Sequence, residues 1–156
     1  MSEDSYTIKI GKKEIVLDPT NMSFNEVSLS EFFQKSAGYY DNFGRALADL
    51  EGLHQMRKME YDRVSSEKFD KYKTEGGCSD KLAAARTDSD EEVLEARKGM
   101  ISAMRNVNLV KNHLRAWDKA HDNALSTGHM LRKEMDKLGA SVKDTTEQEL
   151  GEVFGK

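Results

Sequence analysis

Between Arg57 and Lys73 the chain gathers six cations (Arg57, Lys58, Arg63, Lys68, Lys71 and Lys73) and three rings (Tyr61, Phe69 and Tyr72). These residue types suit single-stranded nucleic acid: cations follow the phosphates, and flat rings stack on bases at about 1–3 kcal/mol each. The bland alternative is a solvated helix face whose cations pair with Glu60, Glu67 and Asp70, leaving the segment close to neutral. A second basic set, Lys111, Arg115 and Lys119, recurs at four-residue steps along one helix face. Arg132, Lys133 and Lys137 suit a helix C-terminus, where the dipole favours cations.

Other reactive types lack the spacing that chemistry needs. His54, His113, His121 and His129 do not pair at i,i+4 with a further ligand as a helical zinc site requires. Gly76-Gly77 follows a helical pattern and no Lys-Ser/Thr follows it, unlike a phosphate loop between strand and helix. Cys78 has no adjacent cation to lower its pKa, so a plain loop thiol is expected. The reading is therefore of a protein that is not an enzyme, with no cofactor and no metal.

The elements that must position the basic-aromatic segment follow from periodicity. Tyr6, Ile8 and Ile10 alternate with Thr7 and Lys9, Ile15 and Leu17 alternate with Glu14 and Val16, and Gly11-Lys12 lies between as a two-residue turn. A β-hairpin is expected there, closed off by Asp18-Pro19-Thr20-Asn21. Helical spacing then runs from Ser28 to about Lys73, with Ser28 and Glu31 as a capping box. Its core row is expected to hold Phe33, Tyr40, Leu47, His54 and Tyr61, with Phe43, Leu50, Arg57 and Val64 in the adjoining register. The Gly76-Gly77 region ends it, and residues 81–86 form a short helical piece.

Thr87 to Glu92 reads as the start of a longer helix, with N-cap candidates and acids in the first turn. Its two heptad core rows hold Val93, Met100, Val107, Leu114, His121, Gly128 and Met135, and Ala96, Ala103, Val110, Trp117, Ala124, Leu131 and Leu138. Ala124 and Gly128 are small enough for close approach to an aromatic of the first helix, and Gly139 is expected to stop the helix. The fold class is thus mainly α: a long antiparallel, coiled-coil-like helical hairpin with a small N-terminal β-hairpin. Residues 1–27 form the β-hairpin and turn, 28–139 the helical region, and 140–156 an acidic flexible tail. A lone hairpin leaves apolar rows uncovered, so a homo-oligomer is expected, with Phe33, Tyr40, Leu47, Val107, Val110, Leu114, Trp117 and Leu131 as core or oligomer contacts.

Composition agrees with an extended helical shape. Of 156 residues, 33% are charged and 37% apolar, leaner in core-formers than the usual ~45–50%. Net charge is −4, yet residues 96–138 carry nine basic against four acidic side chains. No apolar run can span ~30 Å of hydrocarbon, so no membrane partner is expected. One cysteine and an opening Met1-Ser-Glu-Asp without a basic or apolar leader point to a reducing, cytoplasmic setting.

The order of features also resembles a known family. Ile15-Val16-Leu17 leads into Asp18-Pro19-Thr20-Asn21-Met22, then a Ser-Leu start and Tyr39-Tyr40. A basic helix ends in Phe69-Asp70-Lys71-Tyr72 and Gly76-Gly77, and a last helix ends in His129-Met130-Leu131-Arg132-Lys133-Glu134-Met135. Across about residues 15–138 this is similar to the UvsY-type recombination mediators of tailed phages. The resemblance implies a helical ring-like homo-oligomer that binds single-stranded DNA and helps a RecA-like recombinase replace single-strand binding protein. Lys68 falls on one of that family's basic positions, whereas Ser66 stands where another is expected; Lys71 and Lys73 are the neighbouring cations. The rival reading is a helical phage structural or interaction protein, or an inhibitor of a host system, without nucleic-acid binding.

Overall fold

The structure is a computed structural model that describes residues 5–11 and 13–154, the last fifteen of these by backbone only. Strands β1 (Tyr6–Ile10) and β2 (Lys13–Leu17) pair antiparallel with Tyr6 opposite Leu17, Ile8 opposite Ile15 and Ile10 opposite Lys13. That register leaves Gly11 and Lys12 as the connection, and Gly11 takes φ of +58°, a left-handed value that costs glycine little. One face of the hairpin sends Ile8 and Leu17 into the core, while Lys9 meets Glu14 across the outer face at 3.0 Å. Two strands alone are marginal in water, and docking on the helices supplies the missing burial.

A 3-10 turn, Pro19–Met22, follows, with Asp18 Oδ1 accepting from the Thr20 amide at 2.9 Å. Helix α1 (Leu29–Thr74) then begins, but not through the expected capping box. The Ser28 hydroxyl accepts instead from the Asn25 amide, and Asn25 Oδ1 accepts from the Ser28 amide. Glu31 turns to Lys35 one turn on. A reciprocal Asn25–Ser28 turn has taken the serine oxygen that the box would have used.

Helix α1 ends where both glycines are needed. A Cβ on Gly76 would lie 2.7 Å from the Tyr72 carbonyl oxygen, and Gly77 has φ of +59°. Helix α2 spans Asp80–Ser89, longer than the 81–86 expected, because Thr87 to Ser89 continue it instead of opening the next helix. Thr87 is buried, and its hydroxyl donates to the Ala83 carbonyl at 2.8 Å, which satisfies it without a cap role. Asp90 alone breaks the chain and caps the third helix, its Oδ1 accepting from the Glu92 amide at 3.0 Å.

Helix α3 (Glu91–Phe154) passes through Gly139, correcting the expected stop. A single glycine costs a helix about 1 kcal/mol relative to alanine, too little to end one without a left-handed cap. The predicted tail from residue 140 is helical in its backbone as far as Phe154; its flexibility and side chains fall outside the described residues.

α1 and α3 pack as the antiparallel pair. The two heptad rows of α3 supply buried Val93, Ala103, Val107, Val110, Trp117 and Ala124, as their spacing predicts. On α1 the innermost row is Ser36, Phe43 and Leu50, joined by Phe32 and Ala46. Phe33, Tyr40 and Leu47, expected at the centre, flank it half-buried, as does Leu114 on α3. Of the two rows predicted for α1, the one through Phe43 and Leu50 is thus the deeper.

Trp117 is the centre of the core. It is 1% exposed and stacks on Phe32 and Tyr39 at 5.6 and 4.8 Å between centroids, with Tyr40 edge-on at 6.3 Å. Its indole N–H donates to His113 Nε2 at 3.2 Å. Gly128 lies opposite Leu29, an aliphatic side chain 3.5 Å from a notional Cβ and not a ring. Because α1 begins there, Met135 and Leu138, expected in the core rows of α3, are instead 71% and 66% exposed. Among the described residues no helix is long and apolar enough to cross a membrane.

Candidate nucleic-acid interface

The predicted basic-aromatic residues occupy the last turns of α1, where α2 and the start of α3 fold back on them. The structure divides them into two groups. Lys68, Tyr72 and Lys73 join a polar junction that fastens the three helices. Arg57, Lys58, Arg63 and Lys71 stay exposed.

In the junction, Lys68 Nζ lies 2.8 Å from a Glu92 oxygen and 3.3 Å from Asp90 Oδ2. The Tyr72 hydroxyl donates to the same Asp90 oxygen at 2.7 Å. Only 20% of the Lys68 side chain and 11% of Asp90 are exposed. The Glu92 hydrogen bond raises the Lys68 pKa, with Asp90 adding to it, and the Tyr72 hydroxyl lowers that of Asp90. Asp90 in turn raises the Tyr72 phenol. Asp90 is therefore engaged from three sides: it caps α3, accepts from Tyr72 and faces Lys68. Lys73 reaches Asp80 at 3.0 Å while lying 5.9 Å from the Phe69 ring centre. For these residues a phosphate must compete with carboxylates already in place.

Asp80, Asp90 and Glu92 are the partners that sequence reasoning missed. They stand out in the sequence as acids at helix starts, and the dipole explains them there, so no signal assigned them to cations 7 to 24 residues upstream.

The exposed group is differently placed. Arg57 pairs with Glu60 and Arg63 with Glu67, each at 2.8 Å, as the solvated-face alternative anticipates. Such exposed intrahelical pairs contribute about 0.3–0.5 kcal/mol and exchange readily for another anion. Lys58 and Lys71 make no ion pair among the described residues. Tyr61 and Phe69 are half-buried, and Phe69 lines a shallow cleft with Ser65, Ser66, Asp70, Ala84, Thr87 and Asp88. Of the second basic set, Lys111 meets Glu51 at 2.7 Å, whereas Arg115 and Lys119 stand exposed without an ion pair among the described residues.

Two of the histidines pack among aromatic rings. Burial lowers the His113 pKa, and its ring meets Phe43 edge-on. His121 lies edge-on to Phe33 and Tyr40, and its buried Nδ1 has no hydrogen-bond partner. Burial first, and then the bond from its hydroxyl to Asp118 at 2.9 Å, push the Tyr40 phenol up to about 12. Among the described residues no three His, Cys, Asp or Glu side chains gather as a metal site would require. Compared with protein-family models, with curated proteins and with solved structures, the chain matches none.

Proposed function

We propose that this chain is a single-stranded DNA-binding recombination mediator, which helps load a RecA-like phage recombinase onto DNA covered by single-strand binding protein. Carrying this reading is the exposed part of α1, where Lys58 and Lys71, without an ion pair among the described residues, bracket Tyr61 and Phe69. Cations of this kind attract phosphate, and a half-buried ring beside them presents an edge to a base. Each protomer's patch is weak, so the reading includes a homo-oligomer that multiplies it on one strand. Exposed Met56 and Met59 on α1 are apolar surface that a second copy would cover. Mediation then needs no covalent step: the oligomer holds the strand in a form the recombinase binds better, and the two binding equilibria are linked. Its setting would be the cytoplasm of an infected bacterium.

A second reading, a helical interaction protein without nucleic-acid binding, is favoured by the capture of Lys68, Tyr72 and Lys73 by carboxylates of the same chain. An order-of-addition assay separates the two. With single-stranded DNA first covered by single-strand binding protein, the DNA-dependent ATPase of a RecA-like recombinase is followed with and without this chain. A shortened lag supports mediation. An unchanged lag, together with no retention of the chain on DNA, overturns it in favour of the interaction protein.

A further inference from the structure

We infer that the outer face of α3, from Arg97 to Lys119, is a second nucleic-acid surface, one that tracks the phosphate backbone. This rests on the nucleic-acid reading above but moves its main contact away from the end of α1. The sequence from Ala96 to Trp117 contains five cations and no Asp or Glu. At 1.5 Å per residue these 22 positions make a strip about 33 Å long without a negative side chain of its own helix.

Helical geometry sorts that strip into faces. Val93, Ala103, Val107, Val110 and Trp117 point to α1. Leu109 packs against the core, and Arg105 lies 5.8 Å from the Tyr6 ring of the β-hairpin. On the remaining side, Arg97, Asn108, Arg115 and Lys119 follow one another at separations of 11, 7 and 4 residues. At 100° per residue these fall within a sector of about 40°. Ile101 and Met104, 55% and 52% exposed, lie in or beside the same sector.

Arg97, Arg115 and Lys119 have no ion pair among the described residues, and Lys98 has only Glu95 at 3.6 Å, both about three-quarters exposed. The Lys111–Glu51 bridge fixes which flank of α1 borders the strip. Lys58 follows Glu51 by one heptad, in the same row of α1.

A line of cations whose own helix places acids only at its two ends, Glu95 before Arg97 and Asp118 and Asp122 beside Lys119, fits a linear polyanion better than a compact acidic patch. The strip matches the length of about ten nucleotides at 3.4 Å each. Arginine and asparagine are common phosphate partners, and the face carries no aromatic ring, so it holds backbone without choosing among bases.

The test uses the full chain, a fluorescent 25-nucleotide oligo-dT and a duplex of equal length, by anisotropy across salt concentrations. One variant carries Arg97→Ala, Arg115→Ala and Lys119→Ala; a second keeps the charge with Arg97→Lys, Arg115→Lys and Lys119→Arg. All three sites are exposed, and circular dichroism melts confirm the fold of each variant. Each neutralised phosphate contributes about 0.7 to the log–log salt slope on a single strand, so the alanine variant should lose about 2 units of slope. Its affinity at low salt should fall at least tenfold, with the charge-keeping variant close to wild type. A parallel loss on duplex supports the same backbone surface. If wild type binds oligo-dT and the alanine variant keeps its slope and affinity, the inference fails while the nucleic-acid reading stands on α1. If wild type binds neither oligonucleotide but retains polyglutamate, the face serves an acidic protein, and both readings fall.

Discussion

Replacing Trp117 tests whether the aromatic cluster holds the helices and the β-hairpin together. Trp117 is 1% exposed and ringed by Phe32, Tyr39 and Tyr40. Truncating a buried Trp to Ala removes its transfer free energy and leaves a cavity, together about 3–5 kcal/mol. Three ring pairs at about 0.5–1.5 kcal/mol each place this site toward the upper end, since the neighbouring rings lose their partner as well. Against a typical total of about 5–15 kcal/mol, Trp117→Ala should remove a third or more of the stability. Trp117→Phe keeps a ring on Phe32 and Tyr39 but leaves His113 Nε2 without its donor, so it should cost about 2 kcal/mol. Urea denaturation followed at 222 nm gives both values, and the slope against urea should stay constant if the folded state is unchanged. A loss below about 1 kcal/mol for the alanine variant would refute the placement of the cluster at the centre of the fold.

Other consequences follow from the same geometry. His113 has a pKa below the ordinary 6.5 because of burial, so the unfolded chain takes up its proton first. Stability should be full above pH 6.5 and fall as the pH drops through that value; a urea midpoint unchanged between pH 8 and 5.5 would contradict this. One of the five tyrosines should ionise near pH 12, read at 295 nm and lost in Tyr40→Phe. Gly76→Ala should lower the melting temperature by several degrees, because its Cβ would meet the Tyr72 carbonyl at 2.7 Å, whereas Gly139→Ala should raise it slightly. Tyr72→Phe and Lys68→Ala should lower the melting temperature while leaving oligo-dT affinity within twofold. A large affinity loss at unchanged stability would return those residues to the binding surface.

Much of the fold was legible because period and turn chemistry agreed. The alternation around Gly11 fixed the strand register, and the α3 heptads named Val93, Val107, Val110, Trp117 and Ala124 as its buried rows. Less legible were features set by competition between local and distant partners. The Ser28 cap yielded to Asn25, and Thr87 went into α2 because its hydroxyl found the Ala83 carbonyl. On α1 two adjacent apolar rows both satisfied the period, and only contact with Trp117 and the β-hairpin selects Phe32, Phe43 and Leu50 as the deeper set. The candidate site was half legible. Composition marked the end of α1 as cationic and aromatic, but the pairing of Lys68 and Tyr72 with Asp90 depends on a chain reversal that residue types do not specify.

The most direct measurement is the affinity of the wild-type chain for labelled oligo-dT at 50 and 200 mM salt. Clear binding is expected at the lower concentration and a loss of at least tenfold at the higher, as several phosphates release their counterions. Equal and negligible retention at both concentrations would contradict it.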